Sequence, residues 1–234
     1  MILYHDLARC SFLYRVNRFI AHCHVDGEDV AVHVKNTGRL RELLTPGAPV
    51  WLERSSNPNR KTAYDLVAVE NRGYVVNIDS QATNPVVAEW IASGGWGEGV
   101  TDLRREVTRG DSRFDIAFSQ NGTPVLIEVK GVTLFDDEGT AFFPDAPTGR
   151  GVKHLQGLTE AVRGGMNAGV CFVIQREDVL RLRPNDRMDP AFGAALREAA
   201  AAGVRVVACV CRVTPSEMTI THTIPMDLSQ LHRP

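Results

Sequence analysis

Hydrophobic and polar positions alternate with a period of two over much of the first third of the chain. Short strands are predicted at residues 19–25, 30–34, 50–54, 63–70 and 74–79. Asp26-Gly27 separates the first two and is a favoured two-residue hairpin turn. Several short strands in so few residues predict a small β-barrel of the OB type.

The pattern changes after residue 80. Asn84 is predicted to cap a helix that begins at Pro85 and stops before Gly94-Gly95. Further helices are predicted at residues 153–163 and from Asp189-Pro190 to Gly203. Strands are predicted at residues 103–108, 170–175, 204–211 and 218–224, and residues 131–152 are expected to form a long loop. We therefore divide the chain into an OB-like barrel, residues 1–82, and an α/β domain, residues 83–234.

The best-defined hairpin of the second domain carries charged residues. Its strands are predicted at residues 114–118 and 125–129, on either side of Asn121-Gly122. Side chains alternate along a strand, so Glu128 and Lys130 share one face. If Asp115 lies on that face across the hairpin, two carboxylates and an ammonium group meet there.

Such a group could perform metal-dependent chemistry. Two carboxylates suit a hard cation such as Mg²⁺ or Mn²⁺, and a lysine beside the metal can orient a water for attack on a phosphodiester. The spacing resembles the nuclease core called PD-(D/E)xK. A Glu-x-Lys pair also occurs on ordinary solvated strands, but here it interrupts the apolar run Val-Leu-Ile-Glu-Val-Lys-Gly-Val.

The composition limits the class of protein and its location but does not identify a binding partner. The 234 residues are 44% hydrophobic and 23% charged, as in ordinary globular proteins. No apolar run reaches membrane-spanning length and no signal peptide is evident, so we expect a cytoplasmic location. A net charge of −2 does not indicate a nucleic-acid-binding protein, although many arginines and lysines surround the candidate site in the sequence. Homo-oligomerisation is compatible with the sequence.

Several segments, taken in order, resemble the sugar fermentation stimulation protein A family of bacteria and archaea. They are Arg15-Val-Asn-Arg-Phe19, His33-Val-Lys-Asn-Thr-Gly38-Arg-Leu, Glu42-Leu-Leu-Thr-Pro-Gly47, Lys61-Thr-Ala-Tyr-Asp65, Glu106, Ser112-Arg-Phe-Asp115, Glu128-Val-Lys130 with Val132-Thr-Leu134, Phe143-Pro-Asp145-Ala-Pro-Thr148, Arg150-Gly-Val-Lys-His-Leu155 and Asp189-Pro-Ala-Phe192. The segment before Asn84 departs from the family pattern, but it carries no charge of the candidate site.

The resemblance implies an OB-like domain followed by a PD-(D/E)xK nuclease-like domain. It also implies DNA binding, with RNA as an alternative partner, and nuclease activity. A DNA-binding regulator of sugar-utilisation genes without catalysis is the rival hypothesis, because a fold does not fix a function.

The candidate residues fall into two groups. Asp115 and Glu128 are predicted to bind the metal, and Lys130 to act on the attacking water. A further acid is expected, with Glu106 preferred over Glu89. Contacts to phosphate groups are expected from six residues, two of them on the barrel: Arg15, Arg18, Arg113, Arg150, Lys153 and His154.

Overall fold

The first six strands form one sheet in a computed structural model of the chain, which describes residues 1–109 and 112–229. The sheet order is β3-β2-β1-β4-β5-β6, and a parallel pairing of β3 with β5 closes the barrel. These strands are β1 (Leu7–Arg15), β2 (Ile20–Val25), β3 (Glu28–Val34), β4 (Pro49–Arg54), β5 (Tyr64–Asn71) and β6 (Tyr74–Asn77). The predicted OB-like barrel is thereby confirmed.

One strand of the barrel was not predicted. The sequence of β1 places apolar residues on both faces, because Cys10, Phe12, Leu13 and Tyr14 interrupt the alternation. The strand pairs with β2 on one side and β4 on the other. Its placement therefore depends on two neighbouring strands rather than on its own pattern.

The barrel closes beside a buried cluster of charged side chains. Asp65 on β5 is 4% exposed and accepts two hydrogen bonds from Arg60, at 2.9 and 2.6 Å. His33 Nδ1 lies 3.0 Å and Lys35 Nζ 3.1 Å from the Asp65 carboxylate. Burial alone would raise the pKa of Asp65, but Arg60, then His33 and Lys35, lower it to about 2.

This cluster predicts acid sensitivity in the barrel. The pKa of Asp65 is about 2 in the folded chain and 3.8 ordinarily, so its stabilisation is complete above about pH 4 and is lost as the pH falls toward 2. Between about pH 4 and pH 2 the parent should lose about 2 kcal/mol of unfolding free energy through Asp65. Asp65→Asn should not show this loss. Urea titrations at several pH values measure it, with exposed Asp6→Asn as the control. The same pH dependence in Asp65→Asn and the parent would contradict the assignment.

The second domain has three layers. Its main sheet has the order β15-β14-β12-β9-β8-β7, in which β12 runs parallel to both β9 and β14. The elements are α1 (Thr83–Ala92), β7 (Val100–Arg109), β8 (Ser112–Gln120), β9 (Thr123–Val132), α2 (Gly149–Arg163), β12 (Asn167–Ile174), α3 (Pro190–Ala201), β14 (Arg205–Val213) and β15 (Met218–Ile224). Apolar residues of α1 pack on one face, and those of α2 and α3 on the other. The predicted α/β architecture is confirmed.

The segment between β9 and α2 differs from its prediction. Residues 131–152 were expected to be a loop, but they contain β10 (Leu134–Phe135), β11 (Thr140–Phe143) and the first turn of α2. Together with β13 (Arg181–Pro184), which was also not predicted, β10 and β11 form a three-stranded sheet. Strands of two to four residues are too short to show a period in the sequence.

The first residues of the chain contact the second domain. The terminal ammonium of Met1 donates to the carbonyl oxygen of Met218 at 2.9 Å, and Leu3 packs against the apolar cluster that includes α1. No helix among the described residues is long and apolar enough to cross a membrane.

Candidate active site

The β8–β9 hairpin brings Asp115 and Glu128 to the same place. Its ladder pairs Ile116 with Ile127, so the same register sets Asp115 opposite Glu128. The turn residues Asn121 and Gly122 both have positive φ, 51° and 83°, as a two-residue hairpin of this kind requires. Residues directly opposite on antiparallel strands share a face. The two carboxylates therefore project from one face of the sheet.

Lys130 and His154 both contact Glu128. The Lys130 Nζ lies 2.5 Å from Glu128 Oε1, and His154 Nδ1 contacts the same oxygen. Arg150, one turn before His154 on α2, places its Nε 3.2 Å from His154 Nε2. Burial raises the pKa of Glu128, but the His154 hydrogen bond and the Lys130 charge outweigh burial and hold it below its ordinary value. Glu128 is therefore kept as a carboxylate.

Asp115 has a different environment. Its Oδ2 accepts the backbone N–H of Val129 at 2.8 Å, and its Oδ1 accepts the Asn84 amide at 3.0 Å. Burial, then repulsion from Glu128, raises its pKa, although these two hydrogen bonds oppose the rise. A cation between the carboxylates would relieve that repulsion.

Asn84 was expected to cap α1, and this expectation was wrong. The helix begins at Thr83, two residues earlier than predicted, its N-cap residue is Ala82, and no side chain caps it. The Asn84 side chain instead turns toward Asp115. Sequence analysis missed Asn84 as a site residue because an asparagine before a proline is also a good helix start.

These residues line a cleft of about 540 Å³ between the two domains. The second domain contributes Asp115, Glu128, Lys130 and His154, together with Asn84 and Arg150. The barrel contributes Arg18 and the segment 36–38. Residues 143–148 form a further wall of the cleft. A polymer lying in this cleft would contact both domains.

Neither candidate for the additional acid lines the cleft. Glu106 stands opposite Asp115 in the β7–β8 register, but its φ is +58° and its exposed side chain pairs with Arg113 at 2.7 Å. Glu89 lies near the far end of α1, 3.2 Å from the terminal ammonium of Met1. Glu106 therefore lies on the strand beside Asp115 with its side chain paired to Arg113, and the additional acid stays a prediction.

The predicted phosphate contacts are also unevenly placed. Arg18, Arg150 and His154 line the cleft, whereas exposed Lys153 does not. Arg113 is engaged with Glu106. Arg15 is only half-exposed, and its guanidinium donates to five backbone carbonyl oxygens, those of Asn17, Arg18, Asn36, Gly38 and Arg39. Its donors are therefore consumed within the barrel.

The donor set suits a hard divalent cation that keeps water ligands. No group of three or more His, Cys, Asp or Glu side chains is arranged to enclose a metal in residues 1–109 and 112–229. Mg²⁺ commonly uses one or two carboxylates, with water and phosphate oxygens completing its octahedron. Asp115 and Glu128 supply two carboxylates in the cleft.

Gln175 is a second residue that sequence analysis missed. It is fully buried at the end of β12, and its Nε2 donates to the carbonyl oxygen and the Oδ1 of Asn77, both at 2.9 Å. Its Oε1 has no hydrogen-bond donor within the described parts of the chain. A Cβ at Gly131 would lie 2.6 Å from this oxygen, so glycine allows the close approach. Gln175 thus joins the barrel to the strand of Glu128 and Lys130.

Comparisons with known proteins cover both domains. Residues 13–78 match the family model described as the SfsA N-terminal OB domain, and residues 81–217 match the model described as the sugar fermentation stimulation protein RE domain. The sugar fermentation stimulation protein homolog of Desulfitobacterium hafniense strain Y51 is 45% identical over 211 residues, covering 90% of this chain and 92% of the relative. The homolog of Acetivibrio thermocellus is 44% identical over 226 residues, covering 94% of this chain and 97% of the relative.

A solved structure agrees over the whole length. The structure of Pyrococcus furiosus SfsA in complex with Ca²⁺ superposes with a TM-score of 0.88 at 26% identity, covering 97% of this chain and 98% of that chain. Both domains, in the same order and arrangement, are therefore shared with that protein. The chain belongs to the sugar fermentation stimulation protein family.

Proposed function

We propose that the protein is a divalent-metal-dependent nuclease that hydrolyses phosphodiester bonds in DNA, RNA or both. The observation that carries this proposal is the convergence of Asp115, Glu128 and Lys130 in the cleft between the domains. The Pyrococcus furiosus protein, which has the same fold, was solved in complex with Ca²⁺, and this supports a divalent-ion site in the present chain.

Each residue has a separate task in this proposal. Asp115 and Glu128 would hold Mg²⁺ or Mn²⁺, and the ion would supply Lewis-acid polarisation of the phosphate and lower the pKa of a water. Asn84 and the Val129 N–H orient the Asp115 carboxylate through the hydrogen bonds described above. Lys130 orients the attacking water or stabilises negative charge that develops on the phosphate.

The N-terminal half of α2 provides contacts to the phosphate backbone. Arg150 and His154 line the cleft there, and the hydroxyl of the N-cap residue Thr148 accepts the N–H of Gly151 at 3.0 Å. Arg150 lies in the first turn of α2, where a positive charge opposes the helix dipole. An anionic partner would offset that cost. Arg18 extends the basic surface across the cleft from the barrel.

A cleavage assay tests the proposal. Labelled single- and double-stranded DNA and RNA are incubated with the protein and Mg²⁺ or Mn²⁺, and parallel samples contain a chelator. We expect cleavage only in the presence of the metal. Binding without cleavage on all four substrates, with either metal, would instead favour the non-catalytic DNA-binding regulator.

Arg150 offers a test of the phosphate contacts. Arg150→Ala should weaken nucleic-acid binding and reduce the slope of log affinity against log salt by about 1. Removing a positive charge from the first turn should also leave the helix as stable or slightly more stable. Fluorescence anisotropy at several salt concentrations and thermal unfolding measure the two effects.

Arg163→Ala is the matched control, because Arg163 lies in the last turn of the same helix and pairs with Glu198. We expect this variant to bind with the parent's salt slope. An unchanged slope in Arg150→Ala would remove Arg150 from the proposed interface.

A further inference from the structure

The end of β1 and the turn that leads to β2 carry an unusual concentration of exposed apolar side chains. Five large hydrophobic residues are exposed in the described parts of the chain, and three of them lie between residues 14 and 19. They are Tyr14, 49% exposed, Val16, 58% exposed, and Phe19, 49% exposed. Exposed apolar residues scattered singly need no explanation, but a cluster of this kind indicates a contact surface.

A cavity of about 490 Å³ opens beside this turn. Its apolar wall includes Phe12, Leu13, Leu40 and Leu44, and Tyr14 also lines it. The remaining lining includes three arginines with exposed side chains, Arg18, Arg39 and Arg41. None of the three forms an ion pair with a carboxylate among residues 1–109 and 112–229. We call this cavity, together with Phe19, which follows the lining residue Arg18 in the chain, the barrel groove.

Arg15 fixes the shape of the barrel groove. Its five guanidinium donors bind carbonyl oxygens on both sides of the groove, in the segments 17–18 and 36–39, at distances of 2.7–3.1 Å. The guanidinium of Arg18 lies 5.6 Å from the centre of the Phe19 ring. A surface held in place before binding loses less conformational entropy when a ligand binds. Arg15 is therefore a positioning residue.

The barrel groove continues into the candidate active site. Arg18, Thr37 and Gly38 line both the groove and the cleft. The loop that carries Thr37 and Gly38 is docked on the second domain, because the N–H of Arg39 donates to Asp145 Oδ2 at 2.8 Å. A Cβ at Gly38 would lie 2.3 Å from the same oxygen, so this approach requires glycine. A chain bound in the groove would thus be directed toward Asp115 and Glu128.

We propose that the barrel groove binds an unpaired, single-stranded segment of nucleic acid and leads it to the active site. Bases stack on Tyr14 and Phe19 or enter the cavity, while phosphates contact Arg18, Arg39 and Arg41. Aromatic side chains interleaved with arginines suit single strands, because every unpaired base offers a face for stacking. A regular duplex keeps its bases stacked inside and presents phosphates, so the apolar wall would have no partner. This inference rests on the proposed function and deepens it by naming the substrate class.

Binding measured in chelator separates this inference from catalysis. The probes are a labelled DNA strand of about 15 nucleotides, a strand of the same length in which the sugars lack bases, and a blunt duplex. The parent protein should bind the normal strand on the order of 10-fold more tightly than the other two, since stacking contributes about 1–3 kcal/mol per base. Equal affinity for normal and baseless strands, or tighter binding of the duplex, would overturn the proposal.

Variants of the aromatic residues locate the effect. Phe19→Ala should weaken binding of the normal strand on the order of 10-fold and leave that of the baseless strand unchanged, whereas Phe19→Trp should restore it. Tyr14→Ala is a second variant, although Tyr14 also stacks on His22 at 4.6 Å, so thermal unfolding accompanies it. Leu180→Ala, at an exposed apolar residue far from the groove in sequence and outside its lining, is the matched control.

The outcomes also distinguish the two proposals. Base-dependent binding in chelator, followed by no cleavage when metal is added, would reject the nuclease and keep the groove. Metal-dependent cleavage at the parent rate in Phe19→Ala and Tyr14→Ala, together with unchanged single-strand affinity, would reject the groove and keep the nuclease.

Discussion

Replacing Asp115 by asparagine is expected to reduce metal-dependent cleavage on the order of 100-fold or more. The substitution keeps the size of the side chain but removes one of two negative ligands, so Mg²⁺ or Mn²⁺ should bind more weakly. Both Asp115 oxygens accept hydrogen bonds, from Asn84 and the Val129 N–H, and an amide can replace only one of these acceptors. Thermal unfolding therefore accompanies the assay.

Affinity for nucleic acid should change in the opposite direction to affinity for the metal. Without metal, Asp115 and Glu128 repel a phosphate, so Asp115→Asn should bind DNA as tightly as the parent or more tightly in chelator. Calorimetric titration with Mn²⁺ and anisotropy in chelator separate the two effects. Glu106→Gln is the control, because Glu106 is exposed, paired with Arg113 and outside the cleft. Cleavage by Asp115→Asn at the parent rate would place the activity elsewhere.

Replacing Lys130 by methionine should reduce the single-turnover cleavage rate on the order of 100- to 1,000-fold. The Lys130 ammonium is mostly buried and lies 2.5 Å from Glu128 Oε1, which places it beside the proposed metal ligands. Methionine keeps much of the apolar stem and removes the charge. The attacking water then loses its partner, and charge developing on the phosphate is no longer stabilised.

Metal affinity distinguishes this variant from the previous one. Removing a positive charge beside Glu128 should leave affinity for Mg²⁺ or Mn²⁺ unchanged or higher. Lys130→Arg retains the charge on a planar head group and should keep part of the activity. If Lys130→Met lost metal binding together with cleavage, Lys130 would be needed to build the site rather than for the chemical step. Cleavage at the parent rate would exclude both roles.

The two carboxylates also show how one fold gives similar groups different properties. Glu128 is more buried than Asp115, yet its pKa is lowered because Lys130 and His154 both contact it. The pKa of Asp115 is raised because burial and the charge of Glu128 exceed the effect of its two hydrogen bonds. Lys130 is close to Glu128 in sequence, whereas His154 lies on α2. The electrostatics of the site therefore depend on how α2 packs against the sheet.

The sequence alone determined the local features of the protein. Asn121-Gly122 between two apolar runs specified the β8–β9 hairpin, since few other residue pairs adopt two successive positive φ angles. The period of two in a strand placed Glu128 and Lys130 on one face. The resemblance to the sugar fermentation stimulation protein A family predicted both domains and their order. Weakly periodic segments were missed, among them β1 and the short strands β10, β11 and β13.

Only the tertiary structure decided which distant residues complete the site. It brought Asn84 to Asp115, joined Gln175 to Asn77, and kept Glu106 and Glu89 out of the cleft. No periodic pattern in the sequence predicts these contacts, because each of them joins elements that meet only when separate layers pack. The same packing consumed the donors of Arg15 inside the barrel. A charged residue in a sequence indicates which chemistry its side chain could perform. Its contacts in the folded chain determine whether the charged group is available for that chemistry.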